Sequence, residues 1–202
     1  MKLYYSPGAC SLSPHIVAKE AGIELELVQV DLAKKQTKAG ADFNAVNPKG
    51  YVPTLLLDDG AVLTEGPAIV QYLADRKPAS GLAPAAGSMD RYRLQEWLNF
   101  ITSELHKGFS PLFRPTTPDA YKEIVRENLA KRFDHLDMHF AKNDYLMGKQ
   151  FTVADAYCFT VLNWSNFVKL SMDKWTNVKA YMARVAARPN VLAAMKAEGL
   201  LQ

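Results

Sequence analysis

Residues 4–15, YYSPGACSLSPH, carry the strongest structural signal in the chain. A β-prone aromatic run ends at Tyr5, the turn-forming pair Pro7-Gly8 follows, and a helical pattern begins directly after Cys10. A helix N-terminus has unpaired backbone N–H groups and a partial positive charge, and both stabilise a thiolate placed beside them. The pattern therefore predicts a strand, a turn and a helix, with a reactive cysteine where the helix starts.

Strand and helix signals alternate over the first third of the chain, in the order β-α-β-(loop or short helix)-β-β-α. Strands are predicted at residues 2–5, 25–30, 54–57 and 61–63, and helices at 11–21 and from 67 to 73. Asp58-Asp59-Gly60 predicts a hairpin turn between the last two strands, and Pro67 suits the first position of a helix. This alternation is typical of a small α/β domain.

The remainder of the chain reads as helical. Residues 76–88, RKPASGLAPAAGS, have the composition of a linker, and apolar stripes at helical spacing follow over 94–105 and 121–140. Thr152 and Asp155 form a capping-box pattern that opens another helix, and two more helices are expected at 178–187 and 191–198. We therefore expect an α/β domain at 1–78, a linker at 79–87 and an all-α domain at 88–202.

Composition narrows the class of protein. The chain has 202 residues and a formal net charge of +3, spread without a basic run, which disfavours nucleic acid as a partner. No apolar run approaches the ~20 residues of a membrane span, and the N-terminus lacks the apolar core of a signal peptide. We expect a cytoplasmic protein with no membrane partner, in which the two distant cysteines, Cys10 and Cys158, are free thiols.

Cys10 has two interpretations, a reactive thiol or a small buried apolar residue. The position at a strand-to-helix corner favours the reactive thiol, whereas Cys158, inside a helical pattern, fits a buried residue. Cys10-Ser11-Leu12-Ser13 lacks the second cysteine of a Cys-x-x-Cys redox pair. A mixed disulfide at Cys10 would therefore need a second thiol from solution, and glutathione is the abundant cytosolic one.

Residues 47–73, NPKGYVPTLLLDDGAVLTEGPAIVQYL, suggest a receptor for an amino-acid-like head group. A proline at the first residue of a strand, Pro53, leaves the backbone before it available to pair with another chain. The N–H groups of the helix that begins near Pro67 suit a carboxylate, while Glu65 suits an ammonium group. Each feature alone is weak, since prolines often mark turns and glutamates often cap helices; the order after an N-terminal cysteine is more specific.

The stretches SPGACSLSPHI, NPKGYVP, LTEGPAI, WLNFITSELHK and FTVADAYCF together resemble the motifs of cytosolic glutathione S-transferases of the bacterial beta class. The resemblance runs from end to end of the chain. It implies a thioredoxin-like α/β N-terminal domain, an all-α C-terminal domain, a cis peptide bond before Pro53 and a homodimer. It also implies that glutathione is the co-substrate and that no further cofactor and no metal is used.

The resemblance assigns roles in the N-terminal domain. Cys10 would contact the glutathione sulfur, and the main chain of Val52 would pair with the cysteinyl part of the tripeptide. Glu65 and Gly66 would bind the γ-glutamyl amine and carboxylate, and Lys35 would meet the glycyl carboxylate. Many relatives have serine where Gly66 stands, so only a backbone N–H can serve the carboxylate here, and a lower affinity for glutathione is expected.

A polar helix face near residue 100 is the second part of the implied site. Asn99, Ser103 and His106 share one side of the predicted helix, being spaced i, i+4 and i+7. On sequence alone this face could simply be solvated. The resemblance implies that Asn99 and the run Ser103, Glu104, Leu105 and His106 line the glutathione site, partly across the dimer interface, with His106 assisting the thiolate.

Three functional hypotheses stay open at this stage. The first is a transferase that conjugates reduced glutathione to hydrophobic electrophiles, with Cys10 and His106 as catalytic residues. The second is a glutathione-dependent thiol-disulfide oxidoreductase, peroxidase or reductive dehalogenase that uses a Cys10–glutathione mixed disulfide. The third is a non-catalytic ligand-binding protein of the same fold. Other glutathione transferase classes use a Tyr or Ser hydroxyl, which makes Tyr5 and Ser11 alternatives to Cys10.

Two further patterns have competing interpretations. The residues that could line the electrophile pocket are equally suited to the helical core: Leu112, Phe113, Trp164 and Phe167. His135 and His139 have the i, i+4 spacing of a metal pair, but Leu136 stands where the zinc-protease pattern needs glutamate. We therefore expect no metal site there.

Overall fold

The computed structural model describes residues 1–201. Its strands are β1 (Lys2–Tyr5), β2 (Glu26–Asp31), β3 (Gln36–Thr37), β4 (Thr54–Leu56) and β5 (Val62–Thr64). Its helices are α1 (Leu12–Glu20), α2 (Gly66–Asp75), α3 (Met89–Phe100), α4 (Lys107–Phe109), α5 (Asp119–Phe140), α6 (Val153–Leu162), α7 (Trp164–Phe167), α8 (Thr176–Ala186) and α9 (Pro189–Ala197). Ile101–His106 is π-helical, and Pro78–Ser80 and Ser110–Phe113 form 3₁₀ turns.

The chain forms two compact units, one of Met1–Ala83 with the segment that starts at Arg188, the other of Pro84–Ala187. The limit at Ala83 lies inside the predicted linker. The last segment differs from the predicted grouping of 88–202, because α9 packs against α1 in the first unit. Arg188 and Glu20 join the two helices, with Nε to Oε1 at 2.7 Å. The predicted domain limits stay a prediction.

The first unit is built on a five-stranded sheet with the order β3-β2-β1-β4-β5. β1 is parallel to β2, while β4 and β5 are antiparallel to their neighbours. Apolar residues on β1, β4, α1 and α2 meet in a fully buried core: Leu3, Leu12, Ile16, Leu55, Ile69 and Leu73. Because β1 and β4 are antiparallel, with Tyr4 opposite Thr54, the end of β1 that leads towards α1 lies beside the start of β4.

The local predictions for this unit are confirmed to within about two residues at each end. The exception is β3, which falls in the segment predicted as a loop or short helix. A strand of two residues is too short to show the two-residue alternation on which strand prediction rests. The Val52–Pro53 bond is cis, as the resemblance implied.

The second unit is helical throughout its regular elements. Large apolar side chains from α4, α5, α6 and α8 are fully buried at its centre: Phe109, Phe133, Tyr157, Phe159 and Tyr181. Val125 and Leu129 of the predicted α5 stripe are buried, but Tyr121, in the first turn of that helix, is half exposed. None of the helices within residues 1–201 is long and apolar enough to cross a membrane.

The predicted capping box is present at the start of α6. The buried Asp155 carboxylate accepts hydrogen bonds from the Thr152 N–H at 2.9 Å and from the Thr152 hydroxyl at 3.0 Å. It also accepts the Leu146 N–H at 2.8 Å. Burial raises the pKa of Asp155 to about 6, against the lowering effect of these donors. The box therefore fixes where α6 begins and which way its side chains face.

Candidate active site

Cys10 lies in the loop between β1 and α1, immediately before the helix cap Ser11. Its thiol is partly exposed, and Sγ donates a hydrogen bond to the main-chain oxygen of Val52 at 3.2 Å. Val52 precedes the cis-proline at the start of β4. The fold thus brings the Cys10 thiol next to the backbone before Pro53, which the sequence predicted to be available for pairing with another chain.

The position of Ser11 argues against its hydroxyl as an alternative to the Cys10 thiol. Its side chain is fully buried, accepts the Ser6 N–H at 3.1 Å and donates to the Ser6 carbonyl at 3.2 Å. The hydroxyl therefore closes the loop on itself. Tyr5 is also buried, and burial together with the negative charge of Glu198 raises the pKa of its phenol, which keeps this hydroxyl protonated at neutral pH.

A buried acid under the loop was missed by sequence reasoning. The Glu198 carboxylate accepts the Gly8 N–H at 3.1 Å and lies 3.0 Å from Nδ1 of His15. Both side chains are almost completely buried. The position of His15 within the apolar pattern of α1 indicated a buried polar side chain. Spacing alone could not show that its partner is a glutamate near the other end of the chain. The contact anchors the loop that carries Cys10.

Glu65 and Gly66 stand where β5 passes into α2. Glu65 is the cap residue of the helix and has a φ of +70°, a conformation that costs a non-glycine residue about 1–3 kcal/mol and is concentrated at binding sites. Its carboxylate is 71% exposed and pairs with Lys49, which also donates to the Thr64 hydroxyl at 2.9 Å. An exposed acid at a helix start can exchange this lysine for a ligand ammonium group.

Lys35 reaches the segment that leads into Val52. Its Nζ donates to the Gly50 carbonyl at 2.9 Å and lies 5.8 Å from the centre of the Tyr51 ring. Gly50 has a φ of +62°, and a Cβ there would meet Asn44 at 3.0 Å. Within the first unit, Cys10 and Lys35 therefore both contact the segment 50–52, which includes Val52.

The π-helical turn Ile101–His106 carries the predicted residues of the second unit. Such turns are rare and occur frequently at functional sites. The Asn99 and Ser103 side chains are exposed, whereas Leu105 belongs to the core, so Leu105 could contact a ligand only through its main chain. Glu104 is engaged by Arg132 of α5, with Nε to Oε2 at 2.8 Å.

The His106 ring contacts side chains of the following helices. Nδ1 lies 2.6 Å from the hydroxyl of Tyr157 on α6, and the ring packs edge-on against Trp164 with centroids 4.7 Å apart. Tyr157 was missed by sequence reasoning, although it lies within FTVADAYCF, a stretch already singled out for its cap. Among the predicted pocket residues, Trp164 is buried, while Phe113 and Phe167 are about half exposed.

The pair His135 and His139 packs against an indole ring. The Trp97 centroid lies 6.0 Å from His135 and 4.8 Å from His139, and His139 Nε2 is 3.3 Å from the Tyr145 carbonyl. Burial lowers the pKa of His139. Within the described part of the chain, no group of three or more potential metal ligands comes together.

Known protein families match both halves of the chain. The glutathione S-transferase N-terminal domain matches residues 8–76, and the glutathione S-transferase C-terminal domain matches residues 100–189. Glutathione S-transferase GstA of Escherichia coli O157:H7 is 52% identical over 200 residues, which cover 99% of this chain and 100% of GstA. The chain belongs to the glutathione S-transferase family.

Solved structures of glutathione transferases superpose on the whole chain. A sphingomonad glutathione S-transferase complexed with glutathione is 51% identical, with a TM-score of 0.96 and 100% of both chains covered. The bacterial beta-class glutathione S-transferase of Sphingomonas chungbukensis is 46% identical, again with a TM-score of 0.96 and full coverage of both chains. The predicted family, fold class and transferase activity are confirmed, and the redox and non-catalytic alternatives are not favoured.

Proposed function

We propose that this glutathione transferase binds glutathione in its first unit, along the segment that joins Cys10 to Val52 and Lys35. The observation that carries the proposal is the 3.2 Å hydrogen bond from the Cys10 thiol to the Val52 carbonyl beside the cis-proline. This contact supports the proposal because the Cys10 thiol lies beside the backbone with which we propose that the cysteinyl residue of glutathione pairs. The similar sphingomonad enzyme in complex with glutathione supports the same ligand.

The charges of the first unit match those of the tripeptide. Glu65 would exchange Lys49 for the γ-glutamyl ammonium group, and the Gly66 N–H at the start of α2 would donate to the γ-glutamyl carboxylate. The Lys35 ammonium would bind the glycyl carboxylate. With both ends fixed, the glutathione sulfur would lie at Cys10, where the positive end of α1 favours the thiolate.

The second unit would complete the reaction. Asn99, Ser103 and the main chain of Glu104 and Leu105 would line the site, and His106 would donate to the glutathione sulfur. The half-exposed aromatic side chains of Phe113 and Phe167 suit a hydrophobic electrophile. The thiolate would attack the electrophilic carbon, forming a carbon–sulfur bond as the leaving group departs with its electron pair, while the thiol proton passes to solvent.

The remaining parts of the proposal concern partners and setting. We infer a homodimer in the cytoplasm, with glutathione as co-substrate and with no further cofactor. Neither nucleic acid nor a membrane is proposed as a partner, since the small net charge of +3 is spread along the chain.

The experiment combines calorimetric titration with reduced glutathione and turnover of an aryl chloride. Wild type is compared with Glu65→Gln and with Glu96→Gln, which changes an exposed acid paired with Arg93 on α3. Loss of a hydrogen bond between charged groups costs about 1.5–3 kcal/mol, and competition from water at the exposed Glu65 carboxylate reduces the net value to about 1 kcal/mol. Glu65→Gln should therefore weaken glutathione binding about fivefold. The Glu96 variant should match wild type. Absence of glutathione binding by wild type, or equal binding by all three proteins, would contradict the proposed site.

A further inference from the structure

The side chains of Asn47 and Thr54 meet at one main-chain oxygen, the carbonyl of Tyr51. Asn47 Nδ2 and the Thr54 hydroxyl each donate a hydrogen bond to this oxygen at 2.9 Å. Asn47 Nδ2 also donates to the Thr54 hydroxyl at 2.9 Å. A carbonyl oxygen has two lone pairs and a side-chain amide has two N–H groups, so the three bonds use both sets completely. The two side chains, which we call the carbonyl clamp, therefore hold the Tyr51 carbonyl from two sides.

Both residues of the clamp are fixed by their own surroundings. Thr54 is fully buried in β4, which is paired with β1 on one side and with β5 on the other. Asn47 is 2% exposed, and its carbonyl accepts the Gly50 N–H at 2.8 Å in the turn 47–50. Its side-chain oxygen accepts the Lys49 N–H at 3.1 Å. Because neither donor is free to move, the Tyr51 carbonyl is restricted to one orientation.

The orientation of the Tyr51 carbonyl decides where the Val52 N–H points. The two groups belong to one planar trans peptide and point in opposite directions, so the Val52 N–H points away from Asn47 and Thr54. Among residues 1–201 this N–H has no acceptor, although Val52 is only 7% exposed. Main-chain donors without a protein acceptor are uncommon in nearly buried residues. Since Pro53 has no N–H, Val52 supplies the one main-chain donor that this stretch can offer to a ligand.

We propose that Asn47 and Thr54 are positioning residues, which hold the Tyr51–Val52 peptide so that the Val52 N–H donates to the cysteinyl carbonyl of glutathione. The inference rests on the proposed function, in which glutathione pairs with the main chain of Val52. Without the clamp this peptide samples other orientations, and the fraction of molecules with a correctly oriented N–H falls. The apparent dissociation constant rises as that fraction falls. The clamp therefore sets the affinity for glutathione and does not act on the chemical step.

The test removes the hydrogen bonds of the clamp one side chain at a time. Thr54→Val keeps the shape of the side chain and deletes its hydroxyl, Thr54→Ser retains a hydroxyl, and Asn47→Ala removes the amide. Thr160→Val is the matched control, because the buried Thr160 hydroxyl donates to the Ala156 carbonyl at 2.8 Å within α6, in the other compact unit. All variants are compared at a temperature at which circular dichroism shows them to be folded.

Three measurements are made on each protein. Calorimetric titration with reduced glutathione gives the dissociation constant. Steady-state kinetics with an aryl chloride give kcat and the KM values of both substrates. Hydrogen exchange of the Val52 N–H, followed in ¹H–¹⁵N spectra with and without saturating glutathione, reports whether the ligand takes up this donor. A residue that only stabilises the fold would not change the KM for glutathione selectively or the response of this single N–H.

The expected changes fall on glutathione binding alone. Thr54→Val raises the dissociation constant and the KM for glutathione about 3- to 10-fold, the effect of one lost hydrogen bond, with kcat and the KM for the aryl chloride within about twofold of wild type. Asn47→Ala weakens binding by at least as much. Thr54→Ser and Thr160→Val bind within about twofold of wild type. Saturating glutathione slows exchange of the Val52 N–H about tenfold or more in wild type and less in Thr54→Val.

The contrary results separate this inference from the function on which it rests. If wild type does not bind glutathione, the proposed function fails and the inference fails with it. If wild type binds but Thr54→Val binds equally well, or Thr54→Ser is as weak as Thr54→Val, only the positioning role fails. A lower kcat with an unchanged KM for glutathione in Thr54→Val would also overturn that role. So would a Val52 N–H whose exchange in wild type does not respond to saturating glutathione.

Discussion

Gly66 offers a gain-of-affinity test of the proposed glutathione site. Outside its own helix and its chain neighbours, a Cβ placed at Gly66 would lie nearest to Pro53 Cγ, at 3.9 Å, which is an ordinary van der Waals contact. Gly66 is also the first residue of α2, where replacing glycine costs no helix stability. Gly66→Ser is therefore expected to fold normally and to add one hydroxyl beside the N–H that meets the γ-glutamyl carboxylate.

The magnitude follows from the chemistry of that hydroxyl. A hydrogen bond to a charged group contributes about 1.5–3 kcal/mol. The neighbouring Glu65 side chain is 71% exposed, so water competes at this site, and about 1 kcal/mol is a reasonable net value, equivalent to about fivefold tighter binding. Ordering one serine rotamer reduces the gain only slightly.

Calorimetric titration of wild type, Gly66→Ser and Gly66→Ala with reduced glutathione checks this value. The alanine variant adds the same Cβ without a hydroxyl, so it should bind within about twofold of wild type. A serine variant that binds no tighter than the alanine variant would refute the placement of the γ-glutamyl carboxylate at the start of α2.

Two further predictions concern stability. Glu198→Ala leaves the buried Gly8 N–H and His15 without their acceptor and should lower the free energy of unfolding in urea by about 3 kcal/mol; an effect as small as that of the exposed control Glu24→Ala would refute the anchoring role. The pKa of Asp155 is raised to about 6 by burial, so its protonated form favours the folded state, and this contribution is full below about pH 4 and is lost as pH rises through 6. Relative to Asp155→Asn, wild type should therefore gain about 1 kcal/mol of unfolding free energy between pH 7.5 and pH 5, and equal shifts in both proteins would contradict the raised pKa.

Local signals were sufficient for most elements of the fold. Several boundaries between strands, turns and helices follow from the backbone preferences of proline, glycine and aspartate, which do not depend on the rest of the chain. Examples are Pro7-Gly8, Asp58-Asp59-Gly60 and Pro67. The two-residue strand β3 carries no such signal. The packing of α9 on α1 was also beyond prediction, because periodicity shows which face of a helix is apolar and not what covers it.

Site residues were predictable from the sequence where the residue type and its immediate neighbours in the chain indicate a function. Cys10 at a helix start and Glu65 before Pro67 are of this kind. Glu198 and Tyr157 are not, because each is tied to the site only by a contact with a residue distant in sequence, 190 residues away for Gly8 and 51 for His106. Ser11 was wrongly considered as an alternative to Cys10. Its hydroxyl looked available for catalysis in the sequence, but it is buried within the loop that it helps to close.

Exposure of the protein to oxidised glutathione, followed by peptide mapping with mass spectrometry, tests most directly whether Cys10 meets the glutathione sulfur. The Cys10 thiolate would attack one sulfur of the disulfide and release one reduced glutathione. The account predicts one glutathionyl group, attached to the partly exposed Cys10, and none on Cys158, whose thiol is fully buried with a pKa raised by that burial. An unmodified Cys10 in a protein that binds glutathione, or modification of Cys158 in preference, would contradict it.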